Sequence, residues 1–296
     1  MIAKHGGFDV SDRFIAHARR DECTKEYLIH DLKDHLVGTA DRAKLFASIF
    51  GNGDWVELAA LWHDLGKFLP SWQAYIRRET GCDENVRDDG DVARPNHSSA
   101  GAVLALERLK QSPPARLLAF LIAGHHAGLP DWAPDIQTGG DLQNRLFDTL
   151  TQSLKTDELN ILRHIPAANI FFATKLPRTT PMGIKTAEDA QKSAEHLHLW
   201  IRMAFSCLVD ADFLDTEKFM SGKDRSEVVA YPSLDVLLSR FNVYMQKKQA
   251  EVDPTPLNLA RAEILRQCRN NAFLEPGFYS LTVQTGGGKT LAAMAF

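Results

Sequence analysis

The chain has only four cysteines in 296 residues, Cys23, Cys82, Cys207 and Cys268, and none stands in CxxC spacing. That scarcity excludes a disulfide framework and a thiolate zinc site, and it points to a reducing cytosol. Long apolar runs are also lacking. The longest, Leu117 to Ala123, is far short of the roughly 20 residues that span a bilayer. The opening MIAKHGGFDVSDR is polar, without the apolar core of a signal peptide. The expectation is a soluble cytoplasmic protein with no membrane partner. Positive charge is not in excess either: 34 basic against 38 acidic residues give −4. A globally basic nucleic-acid binder is excluded, but a local basic groove or bound metal ions would supply positive charge. No internal repeat and no serine or cysteine triad stands out, so covalent acyl chemistry has little support.

What remains is an ordinary globular composition, 44% apolar and 24% charged, long enough for one large or two smaller domains. The periodicity is mainly helical. Apolar spacing predicts helices over 28–50, 55–67 with Asp54 as N-cap, and 115–126 after Pro113-Pro114. Asn96 is a candidate cap for a helix carrying His97. Shorter helices are predicted over 141–155 and 157–163, and longer ones over 187–214 and 233–249. The stretch 173–186, with two prolines, reads as a loop. Residues 246–258 are polar, contain two prolines and suit a linker, which divides the chain into domains 1–245 and 259–296.

Histidine is where the sequence is richest. Five of eleven lie in four metal-friendly contexts, His35, His63-Asp64, His97 and His125-His126, and Asp210 and Asp212 follow on a later apolar segment. Imidazole and carboxylate are the ligands of choice for borderline divalent transition metals. Each context alone also fits an ordinary structural role. His63-Asp64 would serve as a helix cap or surface ion pair, and His125 as a core histidine bonded to a carbonyl. Two adjacent imidazoles at a buried helix end would repel if both were protonated, and a metal would keep both neutral. Four such coincidences together favour one metal pocket. Lys67, four residues after His63, falls on the same helical face and would hold a phosphate oxygen. Asp210 and Asp212 point about 200° apart on a helix, so only one fits the pocket. Asp212 lies nearer the stripe of Phe205, Leu208 and Val209 and is preferred, with Asp210 in reserve. His5, His17, His30, His164, His196 and His198 are read as structural or solvated.

The ordered set His35, His63-Asp64 with Lys67, His97, His125-His126 and Asp212 resembles the HD phosphohydrolase superfamily. More narrowly, it resembles the HD nuclease domain of the CRISPR-associated nuclease–helicase of type I interference systems. The resemblance implies a helical HD domain holding up to two divalent metals. One would take His35, His63, Asp64 and Asp212. The second would share Asp64 and add His97, His125 and His126. It further implies cutting of single-stranded DNA, with His63, Asp64 and Lys67 at the chemistry, and a crRNA-guided surveillance complex as partner. An inhibitor protein is a further candidate partner. Imidazole-rich ligation favours Mn, Fe, Co or Ni over Mg.

Near the C-terminal end, the β-type run 278–283 feeds into Gln284-Thr285-Gly286-Gly287-Gly288-Lys289-Thr290. This resembles the phosphate-binding loop of superfamily 2 helicases, with Gly286, Gly288, Lys289 and Thr290 as nucleotide contacts. It is read as the truncated edge of a helicase half, with ATP and Mg relevant only to a longer protein. A flexible glycine-rich tail is the competing reading. For a DNA path the candidates are Lys67, Arg77, Arg78, Arg94, Lys175, Arg178 and Lys185, with Trp62, Trp72, Tyr75 and Trp132 for base stacking. Core aromatics and solvated arginines are the plainer alternative. Two other functions stay open: an HD hydrolase of nucleotides or cyclic dinucleotides, and a non-catalytic docking module.

Overall fold

The computed structural model describes residues 13–83, 94–133, 141–178, 180–224 and 232–296. His5, read above as structural or solvated, lies outside them. The chain is mostly helical and divides into two compact units, 1–227 and 228–296. The boundary thus falls before, not within, the linker expected at 246–258.

The first unit opens with an antiparallel hairpin, β1 (Ile15–Arg20) and β2 (Tyr27–Asp31). The helix predicted from residue 28 therefore starts later, because Asp31 caps it by accepting a hydrogen bond from the Lys33 amide. From that cap runs α1 (Leu32–Ala47), which packs against α2 (Gly53–Trp62). Ala40, Ala43, Ala47, Ala59 and Ala60 are all buried. Such small side chains let helix backbones approach closely. After α2 a 3-10 turn, Leu65–Phe68, leads to α3 (Pro70–Thr80).

Next come α4 (Ser99–Arg108) and α5 (Pro113–Gly124), which pack on each other through another alanine-rich seam. Pro113 at the first turn of α5 costs nothing, since that N–H would be unpaired anyway. Three short helices follow: α6 (Leu142–Leu146), α7 (Asp157–Leu162) and α8 (Pro166–Phe172). The helix expected over 141–155 is only α6. The long helix expected over 187–214 is two: α9 (Ala187–Lys192) and α10 (Ala194–Ser221), the latter crossing α1, α2 and α5. One continuous apolar core runs through these helices, with Trp62, Phe68 and Leu104 among its buried side chains. Truncating such a core residue to alanine typically costs about 3–5 kcal/mol for an aromatic.

The second unit holds α11 (Leu234–Ala250), α12 (Pro256–Asn271) and α13 (Lys289–Ala295) around a small core of Met245, Leu265 and Ala295. Only five residues, 251–255, separate α11 from α12, so most of the supposed linker is helix. The run 278–283 forms no strand. Its backbone has no neighbouring strand to pair with among the described residues, and β propensity alone does not hold an isolated strand. No described helix is long and apolar enough to cross a membrane.

Candidate metal centre

Both histidine-bearing dipeptides sit just past a helix, not inside one. α2 ends at Trp62 and α5 at Gly124, so His63 and His125 occupy the C-cap positions. At each, the ring turns back on its own helix. His63 Nδ1 lies 2.6 Å from the Ala60 carbonyl and His125 Nδ1 2.7 Å from the Ile122 carbonyl. A carbonyl accepts only, so Nδ1 carries the proton that is donated to it. That fixes the tautomer and aims Nε2 inward, as ring second contacts do for metal-ligating histidines. The helix predicted over 55–67 is cut short here, which is what turns His63 and Asp64 into one pocket.

Asp64 stands at the middle, fully buried. Its Oδ2 is 3.4 Å from His35 Nε2, 3.3 Å from His63 Nε2 and 2.7 Å from Lys67 Nζ. Its Oδ1 is 3.4 Å from the Nε2 atoms of both His97 and His125. His126 Nε2 closes this second group, 2.9 Å from His97 Nε2. Asp212, on α10, brings Oδ1 to 3.3 Å from His35 Nε2 and 3.7 Å from His63 Nε2. Asp210 is exposed and accepts a 3.5 Å hydrogen bond from Ser206, so α10 turns Asp212 to the pocket and Asp210 to solvent. Every residue proposed as a metal ligand, and Lys67, is thus gathered around one carboxylate.

His97 reaches the pocket from the loop before α4, not from the helix itself. Asn96 Oδ1 accepts from the Ser98 and Ser99 amides and so does satisfy that helix start. The approach is tight. The Gly66 amide donates to the His97 carbonyl at 3.1 Å, and a Cβ at Gly66 would collide with the His97 backbone. Arg145, on α6, ties the same loop to the end of α5 through Asn96, Ser99 and the Ala123 carbonyl. It therefore holds the His97 and His125-His126 segments together.

Two groups of residues escaped the sequence reading. Asp215, one helical turn after Asp212, places Oδ2 2.9 Å from His35 Nδ1 and so orients that ring. The approach relies on Gly38, where a Cβ would run into the Asp215 carboxylate. The three-residue step from Asp212 to Asp215 was the available signal. His17 and His30, read as structural or solvated, pack against the His35 ring and against each other, with Nδ1 atoms 3.2 Å apart. Their positions on a hairpin were invisible while that hairpin went unpredicted.

Electrostatics divide the pocket. Burial would lower the pKa of His35, but the neighbouring carboxylates of Asp212, Asp215 and Asp64 outweigh it and push the pKa up to about 9. For His63 burial is likewise outweighed, chiefly by the charge of Asp64, and the pKa rises to about 10. Burial would raise Asp64 and Asp212, yet the surrounding cations hold both well below the usual carboxylate range. On the other side, burial drives His97 down to about 3 and His126 to about 4. His17 and His30 fall to about 2 and about 4, again chiefly through burial.

The Nε2 atoms of His35, His63 and His125 and the Oδ1 of Asp64 are buried without a hydrogen-bond partner. Buried polar atoms are normally paired, and four that converge suit a shared cation. Ligand atoms of Asp64, His97, His125 and His126, and of His35, His63 and Asp64, lie close enough together to share a metal ion. The donor set therefore fits divalent metal binding.

Beside the cluster opens a cleft of about 370 Å³, lined among others by Lys67, Trp72, Tyr75, Arg94 and Asp212. Other candidates for a DNA path do not line it. Trp62 is fully buried and donates to the Phe171 carbonyl. Arg77 is buried and donates to the Arg13 carbonyl. Trp132 sits under Arg116, and Lys175, Arg178 and Lys185 are exposed elsewhere on the first unit.

A helical domain with a histidine-ringed aspartate at its helix ends defines a metal-dependent phosphohydrolase of the HD type. The family model described as Cas3, HD domain, matches residues 19–198, more than half of the chain, and the chain belongs to that family. It is accordingly a metal-dependent nuclease of CRISPR systems. No curated protein matches the chain. The family match ends before Asp212 and Asp215, so their place in the centre rests on geometry alone.

In the second unit the glycine-rich loop folds on itself. Lys289 Nζ donates to the Val283 carbonyl at 2.9 Å, and Arg261 Nε donates to the Gly286 carbonyl at 2.9 Å. Gly288 takes a positive φ of 82° as the N-cap of α13.

Proposed function

We propose that the chain cuts single-stranded DNA with two divalent metal ions during CRISPR interference. The observation that carries this reading is Asp64, whose two oxygens face separate sets of imidazoles. His35, His63, Asp64 and Asp212 would hold one ion, and Asp64, His97, His125 and His126 the other. Ions held there lower the pKa of water and offset the charge gathering on a phosphate during hydrolysis. The Ala60 and Ile122 carbonyls keep two ligand rings locked, so little reorganisation accompanies reaction. Lys67 and Arg94 line the adjoining cleft and supply positive charge for phosphate oxygens. The imidazole-rich ligation favours Mn, Fe, Co or Ni.

The DNA would be presented by a crRNA-guided surveillance complex, and an inhibitor protein is a further candidate partner. For residues 259–296 we keep the phosphate loop of a helicase half, with Gly286, Gly288, Lys289 and Thr290 as contacts, as part of the same proposal. Nucleotide binding there would require Lys289 to release the Val283 carbonyl.

The test is cutting of circular single-stranded DNA, duplex DNA and free nucleotides by chelator-treated protein resupplied with Mn, Co, Ni, Fe or Mg. Selective loss of the single-stranded circle with the transition metals is the expected result. Turnover of nucleotides or cyclic dinucleotides without DNA cutting would replace the reading with a small-molecule hydrolase. No hydrolysis with any metal would leave a docking module.

A further inference from the structure

We propose that Phe213 selects an unpaired strand at the metal centre by stacking on one base beside the phosphate being cut, a role that rests on the nuclease reading above. Phe213 immediately follows Asp212 on α10 and lines the same cleft as Lys67, Arg94 and His126. Its helix neighbours Leu208 and Ala211 are fully buried, yet Phe213 is 60% exposed. Its ring has no aromatic or cationic partner among the described residues, whereas Trp72 and Tyr75 already face each other at 5.3 Å. A planar apolar ring left open beside a metal ligand offers its face to a flat aromatic partner such as a nucleobase.

The surrounding charge says what covers it. Lys67 Nζ and the Arg94 guanidinium sit 5.4 Å and 5.2 Å from the Trp72 ring, so Trp72 presents two cations to the cleft. A phosphodiester drawn to those cations and to the metal cluster would carry its base a few ångströms away, within reach of Phe213. Aromatic side chains stack on any base, because every base has a π face, so this contact is tolerant of sequence. It is not tolerant of pairing. A base within a duplex is stacked on both sides and must be extruded first, which costs unstacking and unpairing energy. A cleft of about 370 Å³ is of the size that takes one small ligand's worth of strand.

The experiment compares cutting of an oligothymidylate and an abasic oligomer of equal length, which share the phosphodiester backbone, by the manganese-loaded full chain. The unaltered protein should prefer the oligothymidylate by roughly tenfold in kcat/KM, the stacking worth of a single base. Phe213→Ala should erase that preference by slowing the oligothymidylate about tenfold more than the abasic oligomer, and Phe213→Trp should keep it. Arg94→Ala should slow both oligomers alike. Equal slowing of both oligomers by Phe213→Ala, or a preference that survives it, overturns the proposal. If the unaltered protein cuts neither, the nuclease reading fails together with it.

Discussion

On the Oδ2 side of Asp64, His35 and His63 share the pocket with a second carboxylate, Asp212, while a third, Asp215, stands behind His35. On the Oδ1 side His97, His125 and His126 have Asp64 as their shared carboxylate. The two halves hold similar rings at similar distances, yet the acids set them apart. The first half is a carboxylate-rich site whose two histidines hold protons when no metal is present. The second is an imidazole site whose outer histidines are already neutral. Protons compete with a metal for His35 and His63 and hardly at all for His97 and His126.

The comparison breaks most completely at the residue both halves share. Asp64→Ala should slow cutting by roughly 10³-fold, the upper end of what loss of one electrostatic contributor costs. His126→Ala should instead weaken the Oδ1 half alone. Metal titration followed by cobalt absorption reads both outcomes. An Asp64→Ala protein that still binds the same number of ions would show that the halves do not share the carboxylate.

A finer cut separates holding a ligand from being one. Asp215 meets His35 at its far nitrogen, Nδ1, and also lies 3.5 Å from His30 Nε2, so Asp215→Ala should weaken metal binding on the Oδ2 side by roughly 10–100-fold, the usual effect of losing a ring's outer partner. Asp215→Asn still offers an oxygen to Nδ1–H and should recover much of the loss. Equal weakening by both variants would mean that the negative charge matters and not the orientation.

How much of this was legible beforehand follows the range of the forces involved. The residues around Asp64 could be read because ligand chemistry restricts residue type, and five histidines in four contexts are hard to place by chance. The helix ends were misread because Trp62 and Leu65 continue the apolar rhythm past the point where His63 bonds back to Ala60 and the chain tightens. β1 and β2 were missed since strand pairing joins Ile15 to Asp31, and no local periodicity records a partner. Asp215 and Gly38 form the same kind of case. A glycine on α1 leaves room for a carboxylate 177 residues later, a fit that exists only after α1 and α10 have packed. In the second unit the strand expected at 278–283 depended on neighbours that the described residues do not supply.

The smallest effect is also the most direct reading of the asymmetry. At pH 7.5 His35 and His63, held at about 9 and about 10, must each give up a proton to bind metal, so loading the Oδ2 half should release close to two protons. His97 and His126, at about 3 and about 4, have none to give. Calorimetry in buffers of different ionisation enthalpy counts the protons, and His126→Ala should leave the count unchanged. The same shifts shape the stability of the metal-free protein. The raised values of His35 and His63 contribute stability that is complete below their ordinary 6.5 and is lost as pH climbs through about 9 to 10. The depressed values of His17, His30, His97 and His126 contribute stability that is present above 6.5 and is lost as pH falls toward 4 and below. The melting temperature of chelator-treated protein should therefore peak near pH 6.5. Manganese should lift the alkaline side, because the ion takes over the place of the departing protons. A metal-free melting temperature that keeps rising between pH 6.5 and 9 would mean that His35 and His63 are not protonated, and the contrast between the halves would vanish.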